Sequence, residues 1–272
     1  MTNIDKYIDE FLKIFYDEIG PIRGYGKVYR NTNERLAKIL TSYNFQDKNV
    51  LSVVASSDHV FSSYYLGARN VDTFDSNIFA YFYFFLKKWN LMKYKKSYIS
   101  ARNSDLISCL DEHNNKDEEL FAYEFWRKVF ERISTSLYYS KFFYKDVIYR
   151  SLPYDGNEEQ LAKIICDKSP NFTNLNLFED INIGKKYQVI VLSNILEYMY
   201  EIDDSKLETL VSHNLDKLLT DDGIIISSNI LDYDYEFNPI FEDGFIYEEG
   251  PKDYYNFFDR TVPLCYTYKK RH

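Results

Sequence analysis

Three stretches of the chain are apolar without alternation: "NVLSVVA" (49–55), "YQVIVLSN" (187–194) and "GIIISSN" (223–229). A strand with one face in water alternates apolar and polar residues, whereas an unbroken run marks a strand covered on both faces, as in a parallel sheet. This feature constrains the fold most, because covering both faces requires helices between the strands. After the first strand come a helical segment and a second short run, "VDTFD" (71–75), then a helix over Asn77–Leu91. A helix over roughly 203–219 separates the last two runs, with Gly223 expected to make the helix-to-strand turn. A weaker strand is expected near Phe172–Leu177. The economical arrangement is an α/β fold with a doubly wound, mostly parallel, Rossmann-like sheet.

The rest of the chain attaches to this sheet. Residues 4–19 place Ile4, Tyr7, Ile8, Phe11, Leu12, Phe15 and Ile19 at helical spacing, and Gly20-Pro21 ends the segment. A second helix is expected over 32–43, capped by Thr32 or Asn33. Residues 1–46 therefore read as N-terminal helices. The stretch 92–170 is too long for one crossover and contains "DEELFAYEFWRKVFERISTSLYY" (117–139), a strong helix whose apolar face runs through Trp126, Val129 and Phe130. It reads as a helical insertion, in position to act as a lid beside the cleft. Residues 230–272 are expected to give loops and antiparallel edge strands. No repeat or linker divides the 272 residues, so one domain over 1–272 is expected.

A net charge of −9 argues against general phosphate attraction, so no general nucleic-acid binding is expected. Cys109, Cys166 and Cys265 form no CxxC pair and read as reduced thiols. His59, His113, His213 and His272 have no metal-ligand spacing, so no metal is expected. The N-terminus carries acids throughout, unlike a signal or transit peptide. The most apolar stretch, "IFAYFYFFLKKW" (78–89), is too short to cross a bilayer and runs into lysines. No transmembrane segment and a cytoplasmic location are expected. The many tyrosines read as a compositional bias spread over core and surface rather than as a stacking surface.

Open α/β sheets bind ligands beyond the carboxyl ends of their strands, where strand order reverses. The first strand ends in Ala55-Ser56-Ser57-Asp58, a turn of small residues without glycine. Exposed N–H groups at a helix start favour a carboxylate or phosphate, and the Ser56 and Ser57 hydroxyls add donors. Asp58 repels phosphates and suits a ligand carrying an ammonium or sulfonium beside a carboxylate; as a plain helix cap it would need no ligand. Asp75 ends the second strand, 19 residues after Ser56, where an acid can accept both hydroxyls of an adenosine ribose. It, too, can cap a following helix from Ser76 or Asn77. A ribose acid, a small-residue turn with no phosphate-binding lysine and an acid near that turn point to S-adenosylmethionine rather than NAD or ATP. Ser193 and Asn194 end the later strand at the same cleft, with Glu197 and Tyr198 beyond. His59 beside the cleft reads as structural.

At these residues the chain resembles the class I S-adenosylmethionine-dependent transferases. Within them it is most similar to the betaine-lipid-synthase-like group, which moves the 3-amino-3-carboxypropyl arm of the cofactor. The resemblance rests on "ASSDH" (55–59), "LGARNVDTFDSN" (66–77) and "LSNILEYM" (192–199). "RGYGKVYRNTNERL" (23–36) stands in place of that group's tyrosine-bearing N-terminal segment, and "IFAYFYFFLKKWNL" resembles its following helix. The likeness covers 23–91 and 172–229. It departs where the group's turn glycine is Ser57 and where "DiNP" is "DSNI". The resemblance implies a cofactor pocket drawn from Ala55, Ser56, Ser57, Asp58, Asp75, Ser76, Asn77, Asn176, Ser193 and Asn194. Tyr25, Glu197 and Tyr198 are the candidate catalytic groups. The expected function is an S-adenosylmethionine-dependent transferase acting on a small or lipid-like acceptor, by methyl transfer as the default of the fold. Aminocarboxypropyl transfer is the alternative, and a non-catalytic relative that kept the fold as a scaffold is the second.

Overall fold

The computed structural model describes residues 4–16, 28–32, 34–97, 117–133, 151–177, 179, 181, 183–196, 205–228, 244–255 and 260–271. The elements are α1 (Ile4–Phe15), α2 (Leu36–Leu40), β1 (Asn49–Val53), α3 (Asp58–Tyr65), β2 (Asn70–Asp75) and α4 (Ile78–Tyr94). Then follow α5 (Asp117–Arg132), α6 (Glu158–Ile165), β3 (Phe172–Asn174), β4 (Tyr187–Ser193), α7 (Ser205–Leu218) and β5 (Leu219–Ser228). The chain closes with β6 (Phe245–Glu249), β7 (Lys252–Tyr255), β8 (Arg260–Pro263) and β9 (Cys265–Lys270).

Seven strands form one sheet in the order β3-β2-β1-β4-β5-β9-β6, and β7 and β8 form a separate hairpin. The five strands from β3 to β5 are parallel, β9 runs antiparallel to β5, and β6 runs antiparallel to β9. This is the expected doubly wound sheet, with the expected antiparallel strands at its C-terminal edge. From β1 the chain moves outward to β2 and β3 and then returns to β4, so the strand order reverses between β1 and β4.

The unbroken apolar runs divide between two cores. Val50, Val54, Val189, Val191 and Ile226 face one, packed with α1 and α3–α6. Leu51, Val53, Ile190, Leu192 and Ile225 face the other, packed with α7. Helix α4 shows why the first core is the thicker. Every residue from Phe79 to Leu91 is buried, as befits a helix that is apolar on all sides. Helix α5 lays Phe125, Trp126 and Val129 against it, and the Trp126 indole donates to the Phe82 carbonyl at 2.7 Å.

Several boundaries and one position differ from the sequence reading. Helix α1 is Ile4–Phe15, and the rest of the expected segment, 17–19, lies outside the described residues; the helix expected over 32–43 is only α2, with Arg35 rather than Thr32 or Asn33 before it. The expected strand near Phe172–Leu177 is three residues long. Gly223 makes no helix-to-strand turn. Chain passes directly from α7 into β5, and Gly223 lies inside that strand. Tyr187 pairs with Leu219 but Val189 with Ile224, so Thr220–Gly223 bulge out of the ladder. A side chain at Gly223 would meet Leu219 and Thr220 atoms at 2.7–2.9 Å, so here glycine serves close approach. The described part of the insertion lies on the helices of the first core and reaches the turn after β1 through the Tyr154 hydroxyl, which donates to Asp58 at 2.9 Å. α5 packs on α4 and α1, α6 packs on α3 and α4, and together they add an outer helical layer. Residues 98–116 and 134–150 lie outside the description.

Candidate functional site

The turn after β1 adopts glycine geometry without glycine. Ala55 has φ +44° and Ser57 has φ +72°, and across the strand-order reversal Ser193 at the end of β4 has φ +55°. Left-handed backbone costs a residue with a side chain on the order of 1 kcal/mol. Three such residues at adjacent strand ends mark the place where local preference is overridden.

Asp75 faces this turn from the end of β2. Its Oδ2 accepts the Ala55 N–H at 2.9 Å and its Oδ1 the Asn77 N–H at 2.9 Å. One lone pair on each oxygen is left over, enough for two further donors. Burial pushes this carboxyl up to about 6, against the opposing pull of the Asn77 and Ala55 N–H groups. Asn77 caps α4 through its side chain, which accepts the Phe79 N–H at 3.0 Å. Ser76 is exposed beside it. Asn176 lies beyond β3 and donates to Glu179 at 3.2 Å.

Asp58 sits otherwise than its sequence position suggests. It is fully buried and stands at the first position of α3, after the N-cap residue Ser57. Its Oδ1 takes the Lys87 ammonium at 2.6 Å and the Tyr154 hydroxyl at 2.9 Å. Its Oδ2 takes the Thr32 N–H at 2.8 Å and the Ser56 hydroxyl at 2.9 Å. Lys87 also donates to the Ser56 carbonyl at 2.8 Å. The ammonium that Asp58 meets is therefore the chain's own, delivered from α4, and its carboxylate fastens the turn from below. Ser57 is different: its hydroxyl is buried with no hydrogen-bond partner among the described residues, and it precedes a helix whose first N–H groups no side chain caps.

A second buried carboxylate was not anticipated. Glu34, from the segment before α2, accepts the hydroxyls of Ser193 and Ser228 at the ends of β4 and β5. Its Oε2 lies 3.0 Å from Nε2 of His59, in the first turn of α3. Burial alone raises the Glu34 carboxyl, but His59 and the two hydroxyls outweigh it and hold the group below the usual carboxylate range. His59 is buried beside the strand ends, with its Nε2 against Glu34. Asn194 is nearly buried next to Ser193. Together with the Thr32 bond to Asp58 and the Tyr83 hydroxyl on the Arg30 carbonyl (3.0 Å), Glu34 fastens segment 28–35 across the carboxyl ends of β1, β4 and β5.

The sequence pattern hid Glu34, because an acid in the first turn of an expected helix reads as a favourable surface charge. Lys87 did have a signal. A lysine within a helix apolar on every side must find a buried counter-ion. Of the expected site residues, Ala55–Asp58, Asp75–Asn77, Ser193 and Asn194 converge at the strand-order reversal and the adjoining end of β2. Tyr25, Glu197 and Tyr198 lie outside the described residues. Among the described residues no His, Cys, Asp and Glu cluster could hold a metal.

No family model matches the sequence, and neither does any curated protein. Among solved structures, the chain is similar to a ribosomal protein L11 methylase from Lactobacillus delbrueckii subsp. bulgaricus, at 15% identity and TM-score 0.36, over 84% of this chain and 72% of that one. It is also similar to the glycopeptide N-methyltransferase MtfA complexed with S-adenosyl-L-homocysteine, at 9% identity and TM-score 0.37, over 92% and 70%. A third is the rRNA methyltransferase aviRa from Streptomyces viridochromogenes, at 11% identity and TM-score 0.33, over 87% and 80%. These values are low, and the fold rests on the strand order itself.

Proposed function

We propose that the chain binds S-adenosylmethionine at the carboxyl ends of β1, β2 and β4 and catalyses group transfer from it, methyl transfer first. The observation that carries this reading is the Ala55–Asp75 unit. A left-handed turn at the strand-order reversal is hydrogen-bonded to an acid at the next strand end, and that acid keeps a lone pair on each oxygen. Asp75 suits a ribose diol. The unpartnered Ser57 hydroxyl and the uncapped start of α3 suit the carboxylate of the amino acid end. When bound, the cofactor supplies an activated carbon on its sulfonium. The chain's part is to hold the acceptor in line with that carbon and exclude water. Ser193 and Asn194, fixed through Glu34, border the side from which an acceptor would come.

Aminocarboxypropyl transfer remains the finer alternative, supported by the "ASSDH" and "LSNILEYM" likeness. One observation favours the scaffold reading: Ser56, Ser57 and Asp58 have 0% exposure in this conformation. Substrate entry on that side requires segment 28–35 to move.

The test is calorimetric titration of the protein with S-adenosylmethionine and S-adenosylhomocysteine, followed by mass spectrometry of products formed with a panel of small and amphiphilic acceptors. Saturable binding with S-adenosylhomocysteine as product supports methyl transfer. Methylthioadenosine would assign arm transfer, binding without turnover would favour the scaffold, and no binding of either ligand overturns the cofactor assignment.

A further inference from the structure

At the opposite pole of the sheet, beside the amino end of β2, a cavity of about 410 Å³ is lined by Tyr64, Arg69, Val71, Lys168, Asn171 and Lys185 among others. It exists because β3 is short. β3 pairs only with Thr73–Asp75, so among the described residues no strand lies along the outer edge of Asn70–Asp72. The pleat decides what that edge presents. Thr73 donates outward to the Asn171 carbonyl at 2.7 Å, and the Asp75 carbonyl accepts outward from Leu175 at 3.1 Å. Alternation puts the N–H and C=O of Val71 on the same edge. The Tyr64 hydroxyl donates to the Val71 carbonyl at 3.4 Å, and the pleat turns the Val71 N–H toward the same edge.

The charges around this donor are unevenly matched. Lys185 is neutralised by Asp72, whose carboxylate also takes the Tyr187 hydroxyl at 2.8 Å and the Asn171 amide at 3.0 Å. Asp72 is thereby fully engaged within the protein. Arg69 and Lys168 have no carboxylate partner among the described residues, and the Lys168 ammonium stands 5.6 Å above the Tyr64 ring. Asp167 is the other acid on the wall, and it is exposed. In a chain of net charge −9, this wall carries Arg69, Lys168 and Lys185 against Asp72 and Asp167, a net positive lining beside an edge N–H. A guanidinium fork, an ammonium and a backbone donor are the recognition set for a dianionic phosphate. The volume also exceeds what a bare phosphate fills, leaving room for an attached polar group.

We propose that this cavity binds a phosphomonoester, with its phosphate held by Arg69, Lys168 and the Val71 N–H. The site is separate from the carboxyl-end crevice and independent of the function proposed for it.

The test is calorimetric titration of the full chain with ribose 5-phosphate, with ribose and inorganic phosphate alongside, repeated on Arg69→Ala and Lys168→Ala. Saturable binding of ribose 5-phosphate and none of ribose is expected. Each variant should weaken it about tenfold or more while leaving the melting temperature and S-adenosylmethionine titration unchanged. Inorganic phosphate binding as tightly as the sugar phosphate would assign the site to the free anion with the same residues. No saturable binding of either phosphate, or binding that both variants leave intact, overturns the proposal.

Discussion

Asp58 and Asp75 are two carboxylates at neighbouring strand ends, and they are used in opposite ways. Asp58 has no exposure, an ammonium at 2.6 Å and three other donors. Asp75 is half-buried and, among the described residues, has no cation and holds two backbone N–H groups. The first is satisfied by the protein and fixes the turn. The second bears the cost of burial without a counter-ion among the described residues, which is what the proposed ribose contact would use. Sequence position alone made them look alike.

The largest effect should come from stranding Asp58. Lys87→Met leaves a buried charge without its counter-ion, so urea denaturation should show a loss of about 3–5 kcal/mol. Adding Asp58→Asn should recover much of it, because the stranded charge is then gone. A single variant as stable as the wild type would end the claim that this pair anchors the turn.

Asp75→Ala attacks the other side of the comparison. Stability should change little, whereas S-adenosylmethionine affinity should fall by about 3 kcal/mol, more than a hundredfold, as two charge-assisted bonds vanish together. Calorimetry on the variant decides it. Undiminished binding would reduce Asp75 to a strut for Ala55 and Asn77.

Titration sharpens the same contrast. The folded Asp75 value, about 6, lies above the ordinary 3.8, so the folded chain holds this proton more tightly than the unfolded chain. The resulting stabilisation is complete below pH 3.8 and is lost as the pH rises through about 6, a change on the order of 2–3 kcal/mol. Ribose hydroxyls favour the ionised form, so cofactor affinity should rise between about pH 5 and 7. Both trends should flatten in Asp75→Asn. A wild-type affinity independent of pH over that interval would contradict the assignment.

The smallest expected effect tests the backbone. Ser57→Gly keeps the left-handed turn and removes its strain, so the melting curve should show a gain of about 1 kcal/mol. A loss would mean that the Ser57 hydroxyl contributes to the folded state, despite lacking a partner among the described residues.

The unbroken runs made the sheet legible, since strands buried on both faces must read "VIVL" or "GIII" rather than alternate. Asp75 was legible for a related reason: a strand end defines where its last side chain lies. Gly223 was misread because a bulge inside a strand and a turn before it use the same residue types. Glu34 was invisible because its partners, His59, Ser193 and Ser228, come from three separate strand or helix ends, and no local period links them. Lys87 and Lys88 show what a closer reading would give. Both interrupt an apolar helix, and both meet a carboxylate within the protein, Asp58 and Glu119.

The Glu34 contacts also set an order of events. The hydroxyls that this carboxylate holds lie 159 and 194 residues later along the chain. During synthesis from the N-terminus, segment 28–35 cannot dock in its final place until β4 and β5 have been translated and paired. The backbone around Glu34 therefore settles only after the strands that follow it and whose ends it spans.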